Sequence, residues 1–377
     1  MNITSEIWNS PSDYLLARAP DHPVHFFAPA ALQAQAKRFL DGFSGLVTYA
    51  VKANPEDAVL SNLLAAGVAA FDVASPNEIR LLRELAPHAA LHYNNPVRSK
   101  SEIRFARDAG VKSYSVDSFR ELEKIQGIIP PADVEISVRI KLPVTGAVYD
   151  FGAKFGATPE KAIELLRRVK SAGYIPSITF HPGTQCEDPQ AWKTYIAEAA
   201  AIARAANVTI KRLNVGGGFP AKTAKGVPDL EEFFTLIDKA VTDEFSTRPG
   251  LVCEPGRAMV AESFTHATRV KSFNDNGDVY LNDGIYGGLS EFPVLDVQRS
   301  FTVLPPLGER RSNTKTSRLI FGPTCDSLDV LPNKMCLPSD ITDDDYILFQ
   351  NMGAYVKGVT TDFNGYGQLE TVTVLSL

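Results

Sequence analysis

Residues 47–74, VTYAVKANPEDAVLSNLLAAGVAAFDVA, hold two short apolar or β-branched runs, Val47–Lys52 and Ala70–Ala74, on either side of a helical pattern, Asp57–Ala66. An acid opens the middle stretch, as a helix start should, so the segment reads strand, helix, strand. The alternation continues. Further strands are expected at Ala90–Tyr93, Ser113–Val116, Val134–Ile140, Ser177–His181, Arg212–Val215 and Leu251–Glu254. Amphipathic stretches such as Pro159–Ala172, Asp188–Ala206 and Leu230–Asp243 lie between them. Eight repeats of strand then helix predict an α/β fold, a (β/α)8 barrel, over residues 24–265.

After Arg257 the pattern changes to short strand-like runs broken by Gly, Pro, Asn and Asp: Val279–Leu281, Phe301–Val303, Arg318–Phe321, Tyr346–Phe349 and Glu370–Leu375. Residues 266–377 are therefore expected to form a C-terminal β-rich domain, a small barrel or sandwich, and residues 1–23 to pack with it. A chain of 377 residues suits two such domains. The polar run Gly308–Ser317 (GERRSNTKTS) reads as an exposed loop.

The composition, 44% hydrophobic and 22% charged, is that of a globular protein, and a net charge of -6 gives no electrostatic footprint for nucleic acid. A cationic small molecule is mildly favoured. Cys186, Cys253, Cys325 and Cys336 form no Cys-x-x-Cys pair and have no histidine pattern beside them, so neither a metal site nor a disulfide framework is expected. No basic head followed by an apolar run opens the chain, and no stretch is long and apolar enough for a membrane span. A cytoplasmic protein with no membrane partner is the expectation.

Barrel enzymes carry reactive groups at the C-terminal ends of their strands. Unusual residues stand there: Lys52, Asp72, Arg139, His181, the triplet Gly216-Gly217-Gly218, and Glu254 followed by Gly256 and Arg257. Lys52, flanked by Val51 and Ala53, is expected to be partly desolvated and available for a Schiff base, with a solvated rim lysine as the plainer alternative. The glycines suit a phosphate held by backbone N–H groups, or a simple turn. Arg257 adds a cation and Glu254 a carboxylate that could face a pyridinium nitrogen, against an ordinary surface pair. His181 could stack on a flat ring or be a satisfied strand-end histidine. Cys325 would be a small buried hydrophobe, except that Gly322, Pro323, Asp326 and Asp329 around it read as an exposed polar turn.

Eight motifs in order closely resemble the fold-type III pyridoxal-phosphate decarboxylases, the family of eukaryotic-type ornithine decarboxylase and diaminopimelate decarboxylase. They are YAVKANP (49–55), FDVASPNEI (71–79), FHPGTQ (180–185), NVGGGFP (214–220), CEPGR (253–257), NDGIYGG (282–288), GPTCDSLD (322–329) and NMGAY (351–355). The resemblance implies pyridoxal 5'-phosphate as cofactor, Lys52 as its Schiff-base lysine, Glu254 as partner of the ring nitrogen and His181 as the stacking residue. It places Thr184, Gly216, Gly217, Gly218, Gly256, Arg257 and Tyr355 at the phosphate, and Asp72, Glu78, Arg139 and Lys154 in support of cofactor and lysine. Cys325 matches the proton donor to Cα, reaching across a homodimer whose two active sites are each built from both chains.

By the same resemblance Asp326 matches the carboxylate that holds a distal amine, with Tyr286, Glu291 and Asp296 as further substrate contacts. Asp296 lies one position out of the family register and Glu291 is nearer the motif. The implied reaction is decarboxylation of a basic L-amino acid, L-ornithine to putrescine in polyamine biosynthesis. L-Lysine to cadaverine, or diaminopimelate or carboxynorspermidine as substrate, are the alternatives. His-Pro-Gly-Thr stands where the family usually has His-Val-Gly-Ser, and the threonine keeps the hydroxyl. An alanine-racemase-like activity fits poorly with GPTCDSLD. An inactive regulator of the antizyme-inhibitor kind fits poorly with a full set of cofactor residues.

Overall fold

In the computed structural model, which describes residues 6–143, 153–223, 226, 229–295 and 300–377, nine strands follow one another through the first two thirds of the chain. They are β1 (Val24–Phe27), β2 (Leu46–Ala50), β3 (Ala70–Val73), β4 (Ala90–Tyr93), β5 (Ser113–Val116), β6 (Glu135–Arg139), β7 (Ile175–Thr179), β8 (Arg212–Asn214) and β9 (Gly250–Cys253). Strands β2 to β9 pair in sequence order, all parallel, and close into a barrel where Leu46 and Val47 meet Val252 and Cys253. Closure is reinforced by the Thr48 hydroxyl, which donates to the Cys253 carbonyl at 2.9 Å.

Helices between the strands start where the chemistry directs. Ser75, Ser99 and Ser118 each cap a helix by accepting the N–H of the third helical residue, and Ser99 with Glu102 forms a full capping box. Pro159 opens the helix Pro159–Ser171 at a position where its missing N–H costs nothing. Near the starts of β6 and β8, Glu135 and Arg212 pair side by side and bury the carboxylate.

β1, expected within the barrel segment, belongs elsewhere. Met1–Gln35, Ala221–Val227 and Val260–Leu377 form one compact unit; Ala36–Pro220 and Pro228–Met259 form the other. In the first unit β1 pairs antiparallel with the ten-residue β10 (Phe264–Phe273), which the sequence reading did not assign as a strand. β11 (Val279–Leu281), β12 (Phe301–Leu304), β13 (Lys315–Arg318), β14 (Ile320–Phe321), β15 (Met335–Pro338), β16 (Tyr346–Gln350) and β17 (Glu370–Thr373) complete the described strands. The main sheet runs β12-β16-β10-β1-β17, with β11 attached to β10 and β14 attached to β11. Along β16 alternate residues enter two separate cores: Ile347 and Phe349 join Val270, Leu281 and Met352, while Tyr346 and Leu348 join Tyr14, Phe26 and Val372. A sheet covered on both faces explains why β16 reads as an unbroken apolar run.

Two expectations are corrected here. Arg318–Phe321 is not one strand, since Lys315–Arg318 pairs with β15 while Ile320–Phe321 pairs with β11. The run Gly308–Ser317 is exposed apart from the half-buried Arg311 and Ser312, but it is not loop throughout, because its end lies in β13 and its middle is clipped down. Arg311 Nε and Nη2 donate to the two oxygens of the fully buried Asp345 at 2.9 and 2.6 Å, and the Ser312 N–H donates to Asp340. A charge run looks solvated in sequence; its partner stands 34 residues away.

Because Asp345 has no exposure of its own, Arg311→Met strands a buried carboxylate and should destabilise this unit by about 3 kcal/mol. Thermal unfolding should shift down, and hydrogen exchange should quicken across residues 308–314 and at Asp345. Unchanged exchange in that segment would show that the pair does not hold it.

Candidate active site

Lys52 stands just past β2, on the short 3-10 turn Val51–Ala53, rather than in the strand itself. That turn is tied to the other edge of the barrel, since the Ala50 N–H donates to the Pro255 carbonyl at 3.1 Å. The end of the first barrel strand and the start of the segment after the last are thereby held together. Lys52 Nζ lies 3.8 Å from Asp72 Oδ2 at the end of β3. Its side chain is 47% exposed, partly covered between the buried Val51 and Ala53.

Six strand ends contribute to one cavity of about 200 Å³, lined among others by Lys52, Asp72, Asn94, Arg139, His181 and Glu254. Burial raises the pKa of Asp72 above the usual carboxylate range, against the pull of Lys52, Asn94 and Arg139. Burial also pushes Glu254 up to about 8, with the Asp72 charge adding to the rise and Lys52, Asn214 and Arg139 opposing it. Glu78, which caps the Ala74 N–H at 2.6 Å, is pushed to about 7 by burial. His181 is held well below its ordinary value by burial and then by the cations Lys52 and Arg139. Its Nδ1 accepts the Gly183 N–H at 3.1 Å, which fits an uncharged ring carrying its proton on Nε2.

Glycine is required at the turn after β8 for reasons of space. A Cβ at Gly216 would strike the Phe180 carbonyl, one at Gly217 the Glu254 carbonyl, and one at Gly218 the Gly183 carbonyl. Gly216 and Gly218 also have φ of 70° and 84°. The turn after β8 thus lies against the turn that carries His181 and the half-buried Thr184, and the Cys186 N–H donates to the Gly218 carbonyl at 2.9 Å. Aromatic packing fixes both ends of the glycine turn: Trp192 stacks on Phe219 at 5.0 Å and its Nε1 donates to the Val215 carbonyl. Gly256 and Arg257 follow Glu254, with Arg257 almost buried at the start of a four-residue helix.

The residues present suit a flat aromatic group bearing a carbonyl, a ring nitrogen and a phosphate. A primary amine, a buried carboxyl, an uncharged imidazole and a glycine turn are all drawn to one barrel mouth, and Asp72 Oδ1 is buried there without a hydrogen-bond partner. Two lining residues, Asn94 and Phe155, and the adjoining Asn214 were not singled out from sequence. Asn94 donates to Glu254 Oε1 at 2.5 Å, Asn214 donates to the same oxygen, and Phe155 lies under both Arg139 (5.2 Å) and Lys154 (4.9 Å). The only sequence signal for Asn94 is the Asn-Asn-Pro that ends β4.

The remaining expected site residues stand in the other unit. Cys325 is exposed and its N–H donates to Asn364 Oδ1 at 3.0 Å. The Tyr286 hydroxyl donates to Asp326 Oδ2, and the Leu328 N–H to Asp326 Oδ1 at 2.9 Å. These two donors, the backbone N–H first, hold Asp326 below the usual carboxylate range. Asp329, expected on the exposed turn, is instead buried and organises it, accepting from Ile285 N–H, Thr324 N–H and the Thr324 hydroxyl. Glu291 stands on the turn after the Tyr286 segment, and its carbonyl accepts the N–H groups of Val294 and Leu295. Tyr355 adopts a left-handed φ of 58°. Asp296 lies outside the described residues.

Comparison with known proteins identifies the family. Residues 30–261 match the family described as pyridoxal-dependent decarboxylase, pyridoxal binding domain. The chain is 31% identical over 352 residues to the ornithine decarboxylase of Mus musculus, covering 87% of this chain and 75% of that one. It is 32% identical over 335 residues to the lysine/ornithine decarboxylase of Selenomonas ruminantium, covering 86% and 82%. The crystal structure of the arginine decarboxylase of Paramecium bursaria Chlorella virus superposes with a TM-score of 0.87 at 25% identity, over 96% of this chain and 98% of that one.

The raised carboxyls predict how the cofactor-stripped protein responds to pH. Glu78 and Glu254 titrate near 7 and 8 when folded and near 4.5 as free side chains, so the folded state binds the extra protons. Their contribution is fully present below about pH 4.5 and is lost as pH rises through 7 and then 8. The melting temperature should fall over that window, and Glu254→Gln should flatten its upper part. A Gln variant with the same slope would show that Glu254 ionises freely in the fold.

Proposed function

Because this chain belongs to the pyridoxal-dependent decarboxylases, we propose that it removes the α-carboxylate of a basic L-amino acid, L-ornithine ahead of L-lysine, to give the diamine and carbon dioxide. It is an enzyme and its cofactor is pyridoxal 5'-phosphate. When bound, that group supplies an electron sink conjugated with the substrate's Cα. Lys52 offers the amine that holds it, and Asp72 at 3.8 Å orients that amine. Glu254 faces the ring nitrogen, and uncharged His181 offers a flat face for stacking without competing for the ring's positive charge. The N–H groups of the two adjoining turns, with Thr184 and Arg257, receive the phosphate.

The observation that carries the substrate class is the Asp326 carboxylate. It is held ionised on a polar turn beside Cys325, and each of its oxygens has a second lone pair to offer a distal ammonium. Ornithine and lysine both carry that group, and relatives named for each support both; a substrate ending in a carboxylate would be repelled. Cys325 is the proton donor to Cα in this reading. We further infer a homodimer with shared active sites. In support, the Cys325 turn is rimmed by exposed apolar side chains, Leu328 at 68% and Phe363 at 41%, which a second copy of the chain would cover.

Carbon dioxide release from ornithine, lysine, arginine, diaminopimelate and carboxynorspermidine tests the substrate: kcat/KM should be highest for ornithine and next for lysine. Asp326→Asn should lower kcat/KM for the diamino acids by about tenfold or more and leave cofactor retention unchanged. Preference for diaminopimelate would overturn the distal-ammonium reading. Mixing Lys52→Ala chains, which should fail to retain the cofactor covalently, with Cys325→Ala chains should restore up to about a quarter of wild-type activity by random pairing. No recovery after verified subunit exchange would leave Cys325 acting in its own chain.

A further inference from the structure

Glu254 receives two hydrogen bonds, and both fall on one oxygen. Asn94 Nδ2 donates to Oε1 at 2.5 Å from the end of β4, and Asn214 Nδ2 donates to Oε1 from the end of β8. Among the described residues, no donor reaches Oε2. The orientation of the Asn214 amide is fixed independently, because its Oδ1 accepts the Gly216 N–H at 2.9 Å. Its NH2 group must therefore face Glu254. Asn94 is constrained by charge, since it stands between Asp72 and Glu254 and a carbonyl oxygen turned toward them would meet two carboxyls. An amide nitrogen donates and cannot accept. With two such donors on it, Oε1 has no place for a proton, and a protonated Glu254 carries its hydrogen on Oε2.

We propose that Asn94 and Asn214 are positioning residues that reserve Oε2 of Glu254 as the one oxygen able to exchange a proton with the cofactor's ring nitrogen; this rests on the reading of Glu254 given above. The proton balance is simple. One hydrogen leaves Oε2 for the ring nitrogen, a carboxylate faces a cationic ring, and no further reactant takes part. Asn214 has a second task, because the same amide caps the first residue of the glycine turn. One side chain therefore sets the spacing between the turn assigned to the phosphate and the carboxyl assigned to the ring nitrogen. With either donor removed, Oε1 can take the proton and the carboxyl can present the wrong oxygen.

The test uses the holoenzyme reconstituted with pyridoxal phosphate carrying 15N in its ring, whose nitrogen shift reports whether that atom is protonated. Asn94→Ala removes one donor. Asn214→Asp keeps the acceptor that caps Gly216 and reverses only the bond to Glu254. In both, the ring nitrogen should lose its proton at a pH lower than in the wild type by about one unit or more. A fall in kcat of about tenfold should accompany it, with KM changed by less than about threefold. If Asn214→Asp does not fold, Asn94→Ala decides, since it touches nothing in the glycine turn. A lowered melting temperature with an unmoved ring-nitrogen titration would overturn the proposal and leave the amides structural. Glu254→Ala separates the two readings. If it shifts the titration while the asparagine variants do not, the clamp is wrong and Glu254 keeps its role; if it too leaves the titration unmoved, both are wrong.

Discussion

Two carboxyls, Asp72 and Glu254, are buried in the wall of one small cavity, and most of what surrounds them answers the cost of putting them there. Burial makes it costly to ionise either one, and the neighbouring Asp72 charge adds to this, which is why Glu254 rises to about 8. Lys52 and Arg139 bring positive charge, and Asn94 and Asn214 bring neutral donors that ease burial without adding charge. These six side chains come from the ends of β2, β3, β4, β6, β8 and β9. Only a closed ring of parallel strands brings six such ends around one mouth, so barrel closure and site electrostatics are one constraint.

Position in that mouth depends on backbones approaching more closely than a side chain permits. The glycine turn after β8 presses on the backbone of the His181 segment and on that of Glu254. It is held against them by the aromatic block of Trp192, Phe219, Phe233, Phe234 and Phe39, in edge and stacked contacts between 5.0 and 6.3 Å. Large rings behind the turn and bare glycines within it belong to the same design: the first supply rigidity, the second leave room for a ligand to meet main-chain donors.

Much of this was legible in the sequence. The barrel strands were, because each is a short apolar run bounded by a helix with its own start signal, and two residues at most separate their expected and observed ends. β10 was not: FTHATRVKSF buries Thr265, His266 and Thr268, and polar residues that find partners in three dimensions leave no apolar period to read. β1 was misplaced for a related reason, as VHFF looks alike in a barrel or in a sheet. Lys52, His181 and Glu254 could be picked out because amines, imidazoles and acids are conspicuous at strand ends. Asn94 and Asn214 could not, since each amide acquires its meaning from Glu254, which lies 160 residues from the first and 40 from the second.

The sheet of the first unit has a consequence for how the molecule is made. β1 takes one neighbour from β10 and the other, in parallel register, from β17, with Val24 beside Glu370 and Phe27 beside Thr373. Trp8 and Val374 extend the same seam. A ribosome delivers β17 only after every other strand of this sheet, long after β1, at about 5–20 residues per second. All eight barrel strands have left the exit tunnel long before then and can close among themselves. Through that interval β1 waits with an open edge, so the nascent chain carries a finished barrel beside a sheet that cannot be completed until its final strand is translated. Ribosome stalling or chain cleavage between β9 and β17 would thus yield a chain with an intact barrel and an exposed VHFF edge, the kind of edge that recruits chaperones or other chains.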